Sequence, residues 1–136
     1  MTTVMVSGKW DPPHEGHIDS IVKASTLGDY LIVIVQPDEG VKAVKGTCYI
    51  PLWARLVLVT GILRVYDIAG AAFEGKDLDG KSVKSILHFK PNFYAKGGDR
   101  KKGNIPEEEV QACKEAGCKI VYGVGDLLNS SSKIVK

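Results

Sequence analysis

The chain has 136 residues, enough for one domain with a sizeable buried core. Its 44% hydrophobic and 25% charged residues are ordinary for a soluble globular protein. A net charge of +2 is too small to favour duplex nucleic acid or an anionic membrane as partner, and no segment is long and apolar enough to span a bilayer.

In chain order, Val4 to Val6 reads as a first strand. It runs into Gly8-Lys9-Trp10-Asp11-Pro12-Pro13-His14-Glu15-Gly16-His17, a Gly/Pro turn that opens into a helix over Gly16 to Leu27. That helix has Ile18, Ile21, Val22 and Leu27 on one face and stops at Gly28. A helix start after a tight turn offers unpaired N–H groups and the positive dipole end to an anion. His14 and His17 lie three apart in the first turn and share a face. The turn therefore reads as a phosphate site carrying two proton-bearing side chains.

Tyr30 to Val35 is a β-branched run of the kind buried on both faces of a sheet. Lys42 and Lys45 fall on a Gly-flanked stretch read as a loop. Pro51 opens a helix that continues from Leu52 to Leu63. Ile68 to Phe73 is a third strand, Ser82 to Phe89 a helix, and Phe93 to Ala95 a short strand. Pro106-Glu107-Glu108-Glu109 starts a helix with acids in its first turn, running to about Ala116 before Gly117. Lys119 to Tyr122 is the last strand, and Asn129 to Ser132 caps a final helical turn or a longer helix.

Five strands separated by helices imply an α/β, Rossmann-like, doubly wound parallel sheet in a single domain spanning 1–136. Ligands of such sheets bind beyond the carboxyl ends of the strands, where strand order reverses. The histidine turn, Lys96-Gly97-Gly98-Asp99-Arg100 and Ser130 to Ser132 should gather on that edge. Met1 to Thr3 carries no basic region, and the first apolar run is too short for a signal peptide. Cys48, Cys113 and Cys118 are an odd number at spacings that fit neither a disulfide framework nor zinc, so reduced thiols and a cytoplasmic setting are expected.

At these residues the chain resembles the cytidylyltransferase-like family of nucleotidylyltransferases. That family's Gly-x-Phe-Asp-x-x-His-x-Gly-His turn is matched from Gly8 to His17, with Trp10 in place of phenylalanine. A second signature, Ser-Thr-Thr before a C-terminal helix, is matched by Ser130-Ser131-Ser132. Lys96-Gly97-Gly98-Asp99 is most similar to the branch that activates heptose 1-phosphate, and the spacing from His14 to Arg55 also fits glycerol-3-phosphate cytidylyltransferase. The arginine that the glycerol-phosphate enzymes carry upstream of the serine motif is missing, with Leu127-Leu128 in its place.

The resemblance implies transfer of AMP or CMP from a nucleoside triphosphate to a sugar phosphate of the heptose 1-phosphate type, with release of pyrophosphate. Glycerol 3-phosphate is the alternative acceptor. A non-catalytic nucleotide-binding module is the alternative of another class. The resemblance further implies Mg²⁺ carried by the triphosphate, no dedicated metal ligands, a homodimer, and a place in lipopolysaccharide-core or sugar-nucleotide synthesis. No nucleic-acid or membrane partner is expected.

Catalytic roles fall by resemblance on His14, His17, Lys45 and Ser131, and nucleotide contacts on Gly8, Lys9, Trp10, Gly16, Gly97, Asp99, Ser130, Ser131 and Ser132. The acceptor phosphate falls to Asp11, Lys42, Lys45 and Arg55. Plainer readings stand beside these. Trp10 either stacks on substrate or closes the core; Asp11 orients His14 or a metal-bound water, or fixes the turn. The two lysines could be solvated, Arg55 could pair with a helix-face acid, and Arg64 reads as an interface or structural residue. The histidines are expected to be largely neutral until nucleotide binds, because a helix N-terminus disfavours imidazolium.

Overall fold

The computed structural model describes residues 1–97 and 105–124. Five parallel strands form one sheet: β1 (Thr3–Gly8), β2 (Tyr30–Val35), β3 (Gly70–Glu74), β4 (Phe93–Gly97) and β5 (Lys119–Val124). Their spatial order is β3-β2-β1-β4-β5. The five helices are α1 (Glu15–Ser25), α2 (Asp38–Lys45), α3 (Leu52–Val65), α4 (Val83–Phe89) and α5 (Glu107–Ala116). The expected doubly wound architecture is what the chain adopts. Among the described residues, no helix is long and apolar enough to cross a membrane.

Side chains alternate across a strand, so each strand feeds two cores. Val4, Val6, Val33 and Val35 face α1 and α3 and pack with Ile21, Ala24, Val59 and Leu63. Met5, Ile32 and Ile34 face the opposite side, where Ile86, Ala112 and Cys113 of α4 and α5 cover them. This two-sided burial is why β2 carries an unbroken apolar run. β1 sits in the middle, with Met5 opposite Ile32 on one side and Tyr94 on the other. The chain winds outward through β2 and β3 and then returns to the far side of β1. The reversal leaves a crevice at the carboxyl ends of β1 and β4.

Element ends shift by one or two residues from the sequence reading, and two differences have an identifiable cause. The third strand begins at Gly70, because the Ile68 N–H is still bonded to the Leu63 carbonyl at the end of α3. Asp38 to Lys45, read as loop, is a helix. Its acids lie in the first turn and Lys42 and Lys45 in the last, matching the helix dipole, and Gly46 closes it with φ 87°. Gly40, which made the stretch look loop-like, has a packing reason: a Cβ there would stand 3.3 Å from both Gln36 Oε1 and Gly80 N. All three cysteines are free thiols.

Candidate active site

The crevice is built from the β1–α1 turn. Gly8 ends β1 against the face of the Trp10 indole; a Cβ would fall 2.8 Å from Trp10 Cε2, so no side chain fits. Trp10 takes a left-handed backbone with φ 53° and donates its indole N–H to the Ile34 carbonyl at 2.9 Å. At 3% exposure it closes the core, which decides between its two readings, although one edge still faces the crevice.

His14 is the N-cap of α1. Its Nδ1 accepts from the Gly16 N–H at 3.1 Å, and His17 Nδ1 accepts from the His14 N–H, also at 3.1 Å. Imidazoles thus do the work that serine and glutamate do in an ordinary reciprocal cap. With Nδ1 accepting, each neutral ring carries its proton on Nε2 as a donor. The two rings stack with centroids 3.7 Å apart and 18° between planes, and Trp10 meets His17 edge-on at 4.8 Å. Burial, reinforced by the nearby His14, Lys9 and Lys45, lowers the His17 pKa from 6.5 to about 4. The ring is neutral at physiological pH, for reasons of packing more than of the helix end.

Above these rings opens a cleft of about 430 Å³, lined by Ser7 to Pro12, His14, Gly16, His17, Ser20, Lys45, Lys96, Gly97 and Val124 among others. Residues from β1, α1, α2, β4 and β5 meet there. At its far wall the Ser20 hydroxyl points to the Val124 carbonyl at 3.5 Å, and a Cβ on Gly97 would approach that hydroxyl to 3.4 Å. A second cleft of about 270 Å³ adjoins the first, reached past Gln36, Lys81, Ser82 and Glu109; the two share Ser7, Gly8, Lys9 and Lys96.

The basic and acidic candidates separate. Lys45 reaches the cleft from the end of α2, with Nζ 3.1 Å from the Asp11 carbonyl and 3.4 Å from its Oδ2. Lys42, on the same helix, is exposed and does not line the cleft. Asp11 neither faces a histidine through a hydrogen bond nor fixes its own turn. Its carboxylate accepts the Tyr49 N–H at 2.9 Å and the Ile50 N–H at 2.7 Å, tying down the segment after α2. Burial alone would raise its pKa, but these two N–H groups and Lys45 outweigh that and hold it below 3.8.

Arg55 is a correction. Placed by resemblance at the acceptor phosphate, it is 0% exposed and lines neither cleft. Its guanidinium donates to the carbonyls of Ile50, Lys9 and Gln36 at 2.7, 2.8 and 2.6 Å and to the Asp38 carboxylate at 2.6 Å. The alternative of an acid partner is the one realised, and the fork additionally collects three orphan carbonyls behind the site.

Sequence reasoning missed the polar wall between the clefts. Lys96 Nζ donates to the Tyr94 hydroxyl at 3.2 Å and lies 3.8 Å from the Glu109 carboxylate. Tyr94 donates to Glu109 Oε1 at 3.0 Å, and Glu109 Oε2 accepts the Ser82 N–H at 3.0 Å. Burial, then the adjoining Glu109, pushes the Tyr94 phenol well up, so it remains a donor. The signal was available: Tyr94 and Lys96 are two apart on β4 and share its α5-facing side, where a lysine needs a buried acid. Gly98, Asp99 and Ser130 to Ser132 lie outside the described residues.

A cleft at the strand-order reversal, floored by a helix N-terminus and two imidazole donors and ringed by lysines, suits a polyphosphate. The model of the cytidylyltransferase-like family matches residues 5–134. The chain belongs to that family. It is 35% identical over 114 residues to the bifunctional protein HldE of Haemophilus ducreyi, covering 82% of this chain and 22% of that protein. HldE of an Enterobacter strain is 38% identical over 112 residues, 80% of this chain and 22% of the relative. The chain thus spans about a fifth of the curated relatives it matches. Among solved structures, the lipopolysaccharide core biosynthesis protein of Thermoplasma volcanium aligns with TM-score 0.72 and 27% identity, covering 92% of this chain and 98% of that one.

Proposed function

We propose that the protein is a cytoplasmic nucleotidylyltransferase that moves AMP or CMP from a nucleoside triphosphate onto a sugar phosphate of the heptose 1-phosphate type. The observation that carries this reading is the stacked His14–His17 pair on the α1 N-terminus, with both Nδ1 atoms committed to the backbone and both Nε2 atoms left as donors. Family membership and the HldE relatives support the reaction class. The two adjoining clefts with a common wall support a reaction of two substrates.

An acceptor phosphate oxygen forms a bond to the α-phosphorus, the bond from that phosphorus to the bridging oxygen breaks, and pyrophosphate leaves with the electron pair. No protein nucleophile takes part, so the chain contributes positioning and charge stabilisation. His14 and His17 donate to the α- and β-phosphate oxygens. Lys9, Lys45 and Lys96 surround the point where the two phosphates meet, and Gly16 and Gly97 let the backbone come close. Asp99 and the Ser130 to Ser132 cap complete the nucleotide side in this reading, with Ser131 on the leaving phosphates. Mg²⁺ in this reading arrives on the triphosphate oxygens. The ion there supplies charge neutralisation.

The test is pyrophosphate release from Mg²⁺, each nucleoside triphosphate and a panel of sugar and polyol phosphates. Release that needs both substrates, and is lost in His17→Ala while nucleotide binding persists, is the expected result. Nucleotide binding without turnover across the panel would instead indicate a sensor module, and turnover with glycerol 3-phosphate alone would change the acceptor.

A further inference from the structure

Helix α5 ends in a left-handed cap, and two cysteines occupy the positions that such a cap brings together. Gly117 turns the chain with φ 71°, the Cys118 N–H bonds the Cys113 carbonyl at 2.8 Å, and the Gly117 N–H bonds the Lys114 carbonyl at 3.3 Å. In this motif the residue just past the glycine and the one five positions before it commonly make an apolar contact. Here both are thiols. Cys113 is 1% exposed in the core under α4 and α5, while Cys118 is half-buried and packs on the edge of the same core. We propose that Cys113 and Cys118 are a reversible redox pair, which a low-molecular-weight disulfide oxidises to an intrachain bridge.

The geometry suits a bridge. A single peptide hydrogen bond joins the two residues, so standard bond lengths hold their Cα atoms within about 7 Å even with every bond in line. The bend at the carbonyl carbon brings them inside the roughly 4.4–6.8 Å that a disulfide spans. The thiols touch, with Cys118 donating to Cys113 Sγ. That hydrogen bond holds the Cys113 thiol below its usual 9.0, against burial and the Glu109 carboxylate and with help from Lys96, and it pushes the Cys118 thiol well up. The pair therefore gives up one proton early and shares the other. Cys48 stands apart: it donates to the Ile50 carbonyl at 3.3 Å and to the Asp38 carboxylate at 3.5 Å, and burial pushes its thiol up.

The thiolate is the attacking species in exchange. As Cys118 Sγ attacks one sulfur of the small disulfide, the shared proton passes to Cys113, and the first small thiolate leaves with the proton already released. Cys113 Sγ then attacks Cys118 Sγ, and the second small thiolate leaves with the Cys113 proton. Two protein thiols are oxidised and one small disulfide is reduced to two thiols. Glu109, the acid of the wall between the clefts, lies one helical turn before Cys113, yet closing the bridge requires nothing of the reaction in the cleft. In a reducing compartment such a bridge is transient, as redox-sensing disulfides are.

The test is equilibration of the native chain with oxidised glutathione at neutral pH. The thiol titre should fall from three to one, with two hydrogen atoms of mass lost and no glutathione retained. Trypsin cuts after Lys114 and so parts the two cysteines; after oxidation the peptides on either side should stay joined until dithiothreitol is added. Cys48→Ala should close the same bridge. Cys118→Ser should leave the buried Cys113 reacting at least about tenfold more slowly, as loss of the accessible sulfur requires. In Cys48→Ala, the glutathione ratio that half-oxidises the pair should be at least about tenfold more reducing in the native chain than in urea, because the fold holds the sulfurs together. A titre that stays at three, one glutathione retained on Cys118, or a cross-link to Cys48 or between chains would overturn the proposal. Equal ratios in native and unfolded chain would overturn it as well.

Discussion

His17 holds its neighbour in place: its Nδ1 accepts the backbone N–H of His14 while the two rings lie stacked 3.7 Å apart. Protonating His17 would put a charge into a half-buried ring beside His14, Lys9 and Lys45, so the pKa falls from 6.5 to about 4, and a proton on Nδ1 would also break that bond. A depressed histidine pKa means that the unfolded chain binds more protons than the folded one between those values. Stability is then complete above pH 6.5 and declines as pH falls toward 4. The loss is at most about 3 kcal/mol, and less in practice because the ring is partly open to solvent. Urea unfolding from pH 7 to 4 should show this slope in wild type and a shallower one in His17→Gln. Bound triphosphate supplies the opposite charge, so an NMR titration should find the His17 pKa moved upward with nucleotide.

Arg55 should behave as a structural residue. Lysine offers one point charge where the guanidinium reaches Ile50, Lys9, Gln36 and Asp38 together. Arg55→Lys leaves buried carbonyls unpaired and is expected to cost about 3 kcal/mol, the scale for breaking a buried charged network. The urea midpoint should fall with little change in the dependence on denaturant, and KM for the acceptor should stay within about twofold of wild type, well short of the tenfold that 1.4 kcal/mol of binding represents. A large rise in acceptor KM at normal stability would return Arg55 to the phosphate.

Much of the fold was legible because burial writes itself into composition. Tyr30 to Val35 could only be a strand covered on both sides, and Pro51, Gly117 and the triple glutamate mark helix ends by their backbone chemistry. What escaped depended on distant partners. Gly40 suggested a loop, but it is glycine because Gly80 and Gln36 crowd it from other elements. An arginine near a phosphate motif looks the same in sequence whether its donors face a ligand or three carbonyls. The His14–His17 turn was legible as an anion site, but the use of Nδ1 on both rings as backbone caps, which fixes Nε2 as the donor, is a matter of coordinates.

Asp11 links the turn to the basic arm, and its neutral isostere should loosen both. Asparagine has one acceptor oxygen for the Tyr49 and Ile50 N–H groups, and its NH₂ repels the other and Lys45. Asp11→Asn should destabilise the fold by about 1–3 kcal/mol, the cost of a buried donor left unpaired, and raise acceptor KM through the freed Lys45. The wild-type carboxyl lies below its usual 3.8, so its contribution is intact above that pH and fades only as pH drops through the lower folded value. The variant should therefore lose the part of acid unfolding that occurs below the His17 slope.

Lys42 and Lys45 are three residues apart on α2, and the sequence reading puts both at the acceptor phosphate. The structure brings only Lys45 to the cleft. Lys45 sits on the cleft wall with its ammonium 3.4 Å from Asp11 and 5.6 Å from the Tyr49 ring centre, oriented by a buried anion and an aromatic face. Lys42 lies outside the lining of both clefts. If charge at the junction of the two phosphates stabilises the transition state, Lys45→Ala should cut kcat/KM by about 100-fold, near 2.7 kcal/mol. Lys42→Ala should remain within about twofold, as surface substitutions usually do. Lys45→Arg keeps the charge but swaps a compact ammonium for a planar fork, so only partial recovery is expected. Equal losses in the two alanine variants would mean that the lysines act through the general field of α2, and the close Asp11–Lys45 pairing would have no catalytic meaning.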